Sequence, residues 1–458
     1  MIMNTMKSIQ SAGSYYPDKE MALPHGPKVH ITAHLDATEG VVEPFIAGRI
    51  DEFEKLKGET SDSLEADVQI YRAGVTPGQK IKKGLGIFAA HIALPVAGFF
   101  LGGPVGLGIG LMIDAGLFAA GTTRDGIGNF FSGIEHRKAF PEPDWKGKRT
   151  YEITADSSPR FDSKLISSEP EGKIDSEDFA TYLAGEMKKY PSSTKEVLFL
   201  GGHGLGYRQI AGMKSNELAS ALHCAEMQSG KKPDVILMES CLMSNIEALS
   251  CLKDRAGVAV VSEETLGATT LPLKELLNDA VSQGGTPEEI GKRMVDIAGK
   301  TGQIQTLAAI DLGKVQLLTD SMNTLGNCLS EELENGNQKE IQNAAKKAMK
   351  FPKGKLMFLE RSVLKFSDLG GFMKALSGKK ISPATKAAIN DVQKAMDQVI
   401  VAKYTSNDYS EASGISFQSK PGILMDASPD LQKYDDTDMP DGWKDFIDTL
   451  WKKRPNNA

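Results

Sequence analysis

Two short runs decide the fold: EVLFLGGHGLGY (Glu196–Tyr207) and DVILMESCLM (Asp234–Met243). Val197–Leu200 and Val235–Met238 are unbroken apolar stretches, the pattern of strands covered on both faces in a parallel sheet. Between them SNELASALHCAEM (Ser215–Met227) opens on a capping serine and reads as a helix. Strand, helix and strand in that order predict a crossover unit. The same alternation extends outward. KVHITAHLDA (Lys28–Ala37), ADVQIYRA (Ala66–Ala73), TYEITA (Thr150–Ala155) and GVAVVSEE (Gly257–Glu264) read as further strands, with helices at Phe45–Leu56, Ser176–Tyr190 and after Met243. The second half is mainly helical, including TKAAINDVQKAMDQVIVAKY (Thr385–Tyr404), apart from a late strand SGISFQ (Ser413–Gln418) and a closing amphipathic helix at Gly442–Arg454. LENGNQKE, around Asn335, is the best linker candidate.

Both decisive runs end in reactive residues, His203 and Cys241. In an open parallel sheet functional groups collect just beyond the carboxyl ends of the strands, so neighbouring strands place the two residues on one edge. A cysteine attacks a carbonyl as its thiolate, and an adjacent imidazole takes the proton or lowers the thiol pKa. The glycines flanking His203 allow close approach of a substrate backbone. The amides of Gly204 and Cys241 are candidate donors to a developing oxyanion. A single buried cysteine or histidine is more often structural; the pair at successive strand ends is what points to catalysis. His223 and Cys224 lie within a helix, Cys251 and Cys328 on helices, His30 and His34 in the first strand.

The chain of 458 residues has 40% hydrophobic and 25% charged residues, ordinary globular composition. A net charge of −7 gives non-specific nucleic-acid binding no support. Four cysteines without metal-ligand spacing argue against a zinc site, and no cofactor or metal is expected. The first twenty residues carry no apolar core of a secretory leader, and the compartment stays open. One feature departs from the pattern. Gly74–Lys148 is too long for an ordinary connection, and Gly84–Ile113 contains no Asp, Glu, Lys or Arg. Gly98, Gly102, Gly106 and Gly110 recur every fourth residue, as at close helix–helix contacts in a bilayer. Lys80, Lys82 and Lys83 precede the run, and Arg137 and Lys138 follow it. Membrane association through 84–134 is therefore an expectation, set against an apolar hairpin packed on the core.

The ordered motifs resemble the clostripain family of cysteine peptidases, in the clan that also holds caspases. The resemblance rests on GGHGLGY (Gly201–Tyr207), VILMESCLMSNIEALSCL (Val235–Leu252) and VVSEETLG (Val260–Gly267). It is reinforced by KVHITAHLDATEG (Lys28–Gly40), SDLGGFMKAL (Ser367–Leu376) and SGISFQSKPG (Ser413–Gly422). It implies an α/β, caspase-like three-layer sandwich with a mostly parallel central sheet and a helical C-terminal region. The division is then a 1–27 extension, a 28–312 core interrupted by a 75–147 insertion, and a 313–458 region with a late core strand. It also implies a cysteine endopeptidase acting on protein or peptide substrates through His203 and Cys241. Tyr207 stands where the family has Trp, and Glu239 where it has Asp in the pocket for a basic residue, so cleavage after Arg or Lys is expected from Glu239. Ser262 and Glu263 are expected to shape the substrate cleft, and calcium dependence follows only from the resemblance. Two rival readings remain: a catalytically inactive binding module on the same fold, and a membrane-associated effector or toxin.

Overall fold

The computed structural model describes residues 28–38, 43–72, 145–156, 162–170, 174–267, 269–353, 364–421 and 437–450. The 1–27 extension and the apolar run 84–134 lie outside them. Among the described residues no helix is long and apolar enough to cross a membrane.

The first half follows the expected order of strands and helices, with two strands, at Lys164–Glu169 and Thr306–Asp311, that the sequence does not announce. It runs β1 (Val29–Ala37), α1 (Glu43–Thr60), β2 (Leu64–Arg72), β3 (Gly147–Glu152), β4 (Lys164–Glu169), α2 (Ser176–Lys188), β5 (Lys195–Gly201), α3 (Ser215–Ser229) and β6 (Val235–Glu239). Then follow α4 (Ile246–Leu252), β7 (Val258–Val261), α5 (Leu273–Gln283), α6 (Pro287–Lys300) and β8 (Thr306–Asp311). The remainder comprises α7 (Val315–Glu334), α8 (Gln338–Lys347), β9 (Lys350–Phe351), β10 (Leu364–Asp368), α9 (Leu369–Ser377) and α10 (Pro383–Val399). It ends with β11 (Ile400–Thr405), β12 (Ser416–Pro421) and α11 (Asp441–Leu450).

Among the described residues nine strands form one sheet in the order β11-β8-β7-β6-β5-β1-β2-β3-β4. The five central strands, β7 to β2, are parallel, and antiparallel pairs extend the sheet at each edge. Alternate side chains of β5 and β6 enter opposite cores, as the pleat requires. Val197, Phe199, Val235 and Leu237 pack with Ile50 and Phe53 of α1 and with α5 and α6. Leu198, Leu200, Ile236 and Met238 pack with α2, α3, α7, α10 and α11. This is the three-layer arrangement.

Local chemistry sets the helix starts. Asp175 accepts from the Glu177 amide ahead of α2. Thr286 and Glu289 form a reciprocal capping box with Pro287 in the first turn of α6. Two expectations are revised. Thr385–Tyr404 is not one helix: α10 ends at Val399 and Ile400–Thr405 pairs antiparallel with β8, because the β-branched and aromatic residues there meet an open sheet edge. LENGNQKE is no linker between separate bodies. It is a tight turn from α7 to α8 through Gly336 at φ 88°, and α7, α8, α10 and α11 fill the same apolar cluster as α2 and α3. The late strand, Ser416–Pro421, joins β10 and β9 in a small antiparallel sheet.

Trp443 anchors α11 to this cluster. It is fully buried, edge-on to Phe417 at 5.5 Å and against Phe446 at 5.2 Å. Trp443→Ala should lower unfolding free energy by about 3–5 kcal/mol, read as a fall in the urea midpoint. An unchanged midpoint would mean that α11 is not part of the cooperative core.

Candidate active site

The register of β5 on β6 builds the site. Gly201 pairs with Glu239, and the Gly202 amide still reaches the Glu239 carbonyl at 3.5 Å. Two residues beyond each partner stand His203 and Cys241, both half-buried. Ser240 Oγ donates to the Gly202 carbonyl at 3.1 Å, tying the two strand ends together. Contact is closest at Gly204. A Cβ there would lie 2.2 Å from the Cys241 carbonyl oxygen and 2.6 Å from its nitrogen. Only a residue without a side chain lets the His203 loop lie this close to the Cys241 backbone.

The loop after His203 is fixed from several sides. The Ala211 amide donates to the His203 carbonyl at 3.0 Å and the Leu205 amide to Gln209 at 2.9 Å. His34, buried beside Tyr71 and Phe179, donates from Nε2 to the Ala211 carbonyl at 3.1 Å. Burial holds the His34 pKa below the ordinary value, which suits a neutral imidazole serving as a structural donor. Tyr207 donates to Gln418 Oε1 on β12 at 2.6 Å, so the phenol that replaces the family's indole keeps a polar partner.

Cys241 opens a strained turn. Leu242, fully buried, adopts φ 62°, a conformation costly for a branched side chain and typical of functional turns. Asn245 stabilises the turn, donating to the Leu242 carbonyl at 2.8 Å and capping α4 through the Ala248 amide at 2.9 Å. The Cys241 thiol lies 3.5 Å from the Leu266 carbonyl. Its apolar surroundings are Leu242, Phe351, Phe366, Tyr409 and Ala412, with half-buried Leu205 and Met349.

The structure does not present Ser262 and Glu263 to a cleft; both are buried. Ser262 Oγ meets Thr306 on β8. Glu263 accepts from the Gly414 amide at 2.9 Å, and burial, reinforced by the neighbouring Asp368, pushes its pKa well up. Fully buried and bonded to the main chain, Glu263 braces the Gly414 segment. Glu264, beside it, accepts from the Lys353 amide at 2.7 Å. Glu239 also differs from expectation. Its carboxylate, 8% exposed, is taken by Arg49 of α1, whose Nε donates to Oε2 at 2.8 Å and whose Nη2 donates to Oε1. Arg49 Nη2 further donates to the Leu271 carbonyl at 2.9 Å. Sequence spacing gave no sign of this pair, because the partners lie 190 residues apart.

Among the described residues, His30, Asp67 and Glu186 are the three whose ligand atoms gather closely enough for an ion. His30 and Asp67 lie in the amino-terminal halves of β1 and β2 and Glu186 in the last turn of α2, toward the edge opposite Cys241. Lys189 already places its ammonium on Asp67 at 3.2 Å and on Glu186. The donor set, with a protonated histidine and a resident lysine, does not suit calcium, which takes six to eight oxygens. Burial would lower the His30 pKa, but hydrogen bonds to Asp67 and Glu196 outweigh it and push it up to about 9. Burial and then the Asp67 charge push Glu186 up to about 8.

A caspase-like cysteine peptidase is the class that this sheet defines, with a cysteine and a histidine at neighbouring central strand ends. The chain belongs to the clostripain family, whose sequence pattern matches residues 173–453, more than half of its length. Solved structures share the fold at 12% identity. A secreted cysteine protease of Bacteroides thetaiotaomicron, iotapain, aligns with a TM-score of 0.54 over 90% of this chain and 100% of its own. The same organism's protease bound to an irreversible peptide inhibitor aligns at 0.53 over 92% of this chain and 99% of its own. An inactive zymogen from Parabacteroides distasonis aligns at 0.55 over 91% and 99%. No curated sequence matches the chain.

Two outcomes follow from this geometry. Gly204→Ala forces the His203 loop off the Cys241 backbone, and a misplacement of about 1 Å costs roughly 100-fold in rate. Peptide hydrolysis should fall by about that factor with the far-ultraviolet circular dichroism unchanged; full activity would contradict the close approach. The His30 cluster sets a pH dependence of stability. His30, raised above its usual value of about 6.5, stabilises the fold below that pH and loses the contribution as pH rises through 9. Glu186, also raised, costs stability as pH climbs toward 8. The urea midpoint should therefore decline between pH 6.5 and 9; a flat profile would refute the protonated cluster.

Proposed function

We propose that the protein is a cysteine endopeptidase in which Cys241 and His203 act as a dyad. The observation that carries this reading is their placement two residues beyond the paired Gly201 and Glu239, with Gly204 against the Cys241 backbone. In the reaction His203 accepts the Cys241 proton, and the thiolate sulfur attacks the scissile carbonyl carbon. The oxygen that becomes negative is received by the amides of Gly204 and Cys241. Collapse expels the amine, which takes its proton from His203, and leaves a thioester on Cys241. Water, deprotonated by His203, then releases the acid and restores the thiol. The partner is a protein or peptide chain lying along the strand ends.

The family's preference for Arg or Lys would require Glu239 to meet a substrate cation. The bidentate pairing with Arg49 counts against that role, so basic specificity is not part of this proposal. Both site residues are retained, which favours catalysis over an inactive binding module.

Cys241→Ala and His203→Ala should each abolish hydrolysis of a casein or peptide-library substrate. The double variant should lose no more than either single one, because the pair acts as a unit. Cys241→Ala protein with undiminished activity would end the reading; an additive loss would show two independent contributions.

A further inference from the structure

Glu239 is the first charged group reached along β6 from the nucleophile, two residues away. A lone carboxylate there would draw a cationic side chain. Here both of its oxygens are engaged: Oε2 by Arg49 Nε, and Oε1 by Arg49 Nη2 and the Leu271 amide at 3.4 Å. Arg49 is itself 2% exposed. Its remaining amine turns toward Glu52, one helical turn further along α1, which runs away from the active edge. A second guanidinium or ammonium could reach Glu239 only by displacing the first. Displacement would take from the buried Arg49 its bidentate partner and leave it only Glu52 and the Leu271 carbonyl.

Cys241 packs against an apolar cluster whose buried members are Leu242, Phe351, Phe366, Tyr409 and Ala412, and the half-buried residues that pack against the cluster with it, Leu205 and Met349, are apolar too. The loop after β7 is pinned at both ends of this wall. The Leu266 carbonyl faces the Cys241 thiol, while the amide and carbonyl of Leu271 are held by the Glu239–Arg49 pair.

We infer that Arg49 is a specificity-determining residue: an internal cation that closes Glu239 to substrate, so that the residue preceding the scissile bond is uncharged and apolar. This deepens the dyad reading and rests on it. Arg49 touches no reacting atom; it acts through Glu239 and the Leu271 end of the loop.

The test uses the full chain and two peptide acyloxymethyl ketones, electrophiles identical except for Leu or Lys next to the reactive carbon. The adduct is located on the Cys241 peptide by mass spectrometry, and labelling rates are compared. The Leu probe should react faster by roughly tenfold or more, the range over which pocket contacts discriminate. Arg49→Met, which frees the carboxylate, should move the ratio toward Lys by on the order of tenfold. The double variant Arg49→Met/Glu239→Gln, in which neither charge remains, should keep the Leu preference; it decides the matter even where Arg49→Met alone fails to fold. A wild-type preference for Lys that disappears in the double variant would overturn the assignment. Failure of both probes to label Cys241 would instead bring down the dyad reading beneath it.

Discussion

The site depends on one constraint, the register of β5 against β6. Gly201 and Glu239 lie opposite each other, and everything functional is counted from that pair. A slip of one residue would turn His203 and Cys241 toward opposite faces of the sheet. The register is held by the alternating apolar sets on both faces, since moving β6 by one position would carry Val235 and Leu237 into the wrong core. Ser240 adds a direct tie to the Gly202 carbonyl, and Gly204 converts strand adjacency into backbone contact at the nucleophile.

A second layer of buried polar groups keeps the turn after Cys241 in its strained form. Asn245 bridges the Leu242 carbonyl and the start of α4. Ser416 at the start of β12 donates to the Ser244 carbonyl from its amide at 2.8 Å and from its hydroxyl at 3.0 Å, and Glu247 accepts the Gln418 amide at 2.8 Å. Glu263 and Asp368 gather the amides of Gly414, Gly371 and Ser413. Each of these acids is fully buried and hydrogen-bonded to main chain. An apolar replacement would leave those amides unpaired, at about 1–3 kcal/mol each. The Ser-Glu-Glu motif is part of this buried, hydrogen-bonded framework.

Most central strands were legible because a buried parallel strand is an uninterrupted apolar run, and the two reactive residues fell at their ends. What escaped notice was non-local. QTLAAID, which contains β8, lies between helices as a short run whose two alanines carry little strand signal. Ile400–Thr405 continued a helical period without a break and is a strand only because β8 offers a free edge. Glu239 is expected from the family resemblance to meet a substrate cation, and nothing in the sequence marks Arg49 as its partner. Only the folded chain shows that they neutralise one another. The cleft placement of Ser262 and Glu263 is expected from the resemblance alone; in the folded chain Ser262 meets Thr306 and Glu263 meets the Gly414 amide.

The β12 contact has a consequence for the order of assembly. The turn that presents Cys241 is completed by Ser416, whose amide donates to Ser244 from about 170 residues further along the chain. The edge strand β11 likewise arrives nearly a hundred residues after its partner β8. Contacts of such long sequence separation form late and slowly. During synthesis the nucleophile and the histidine emerge early, but the elements that shape the nucleophile turn emerge only near residue 420. A ribosome-bound fragment ending before then carries His203 and Cys241 without the β12 contacts that complete the turn at Cys241.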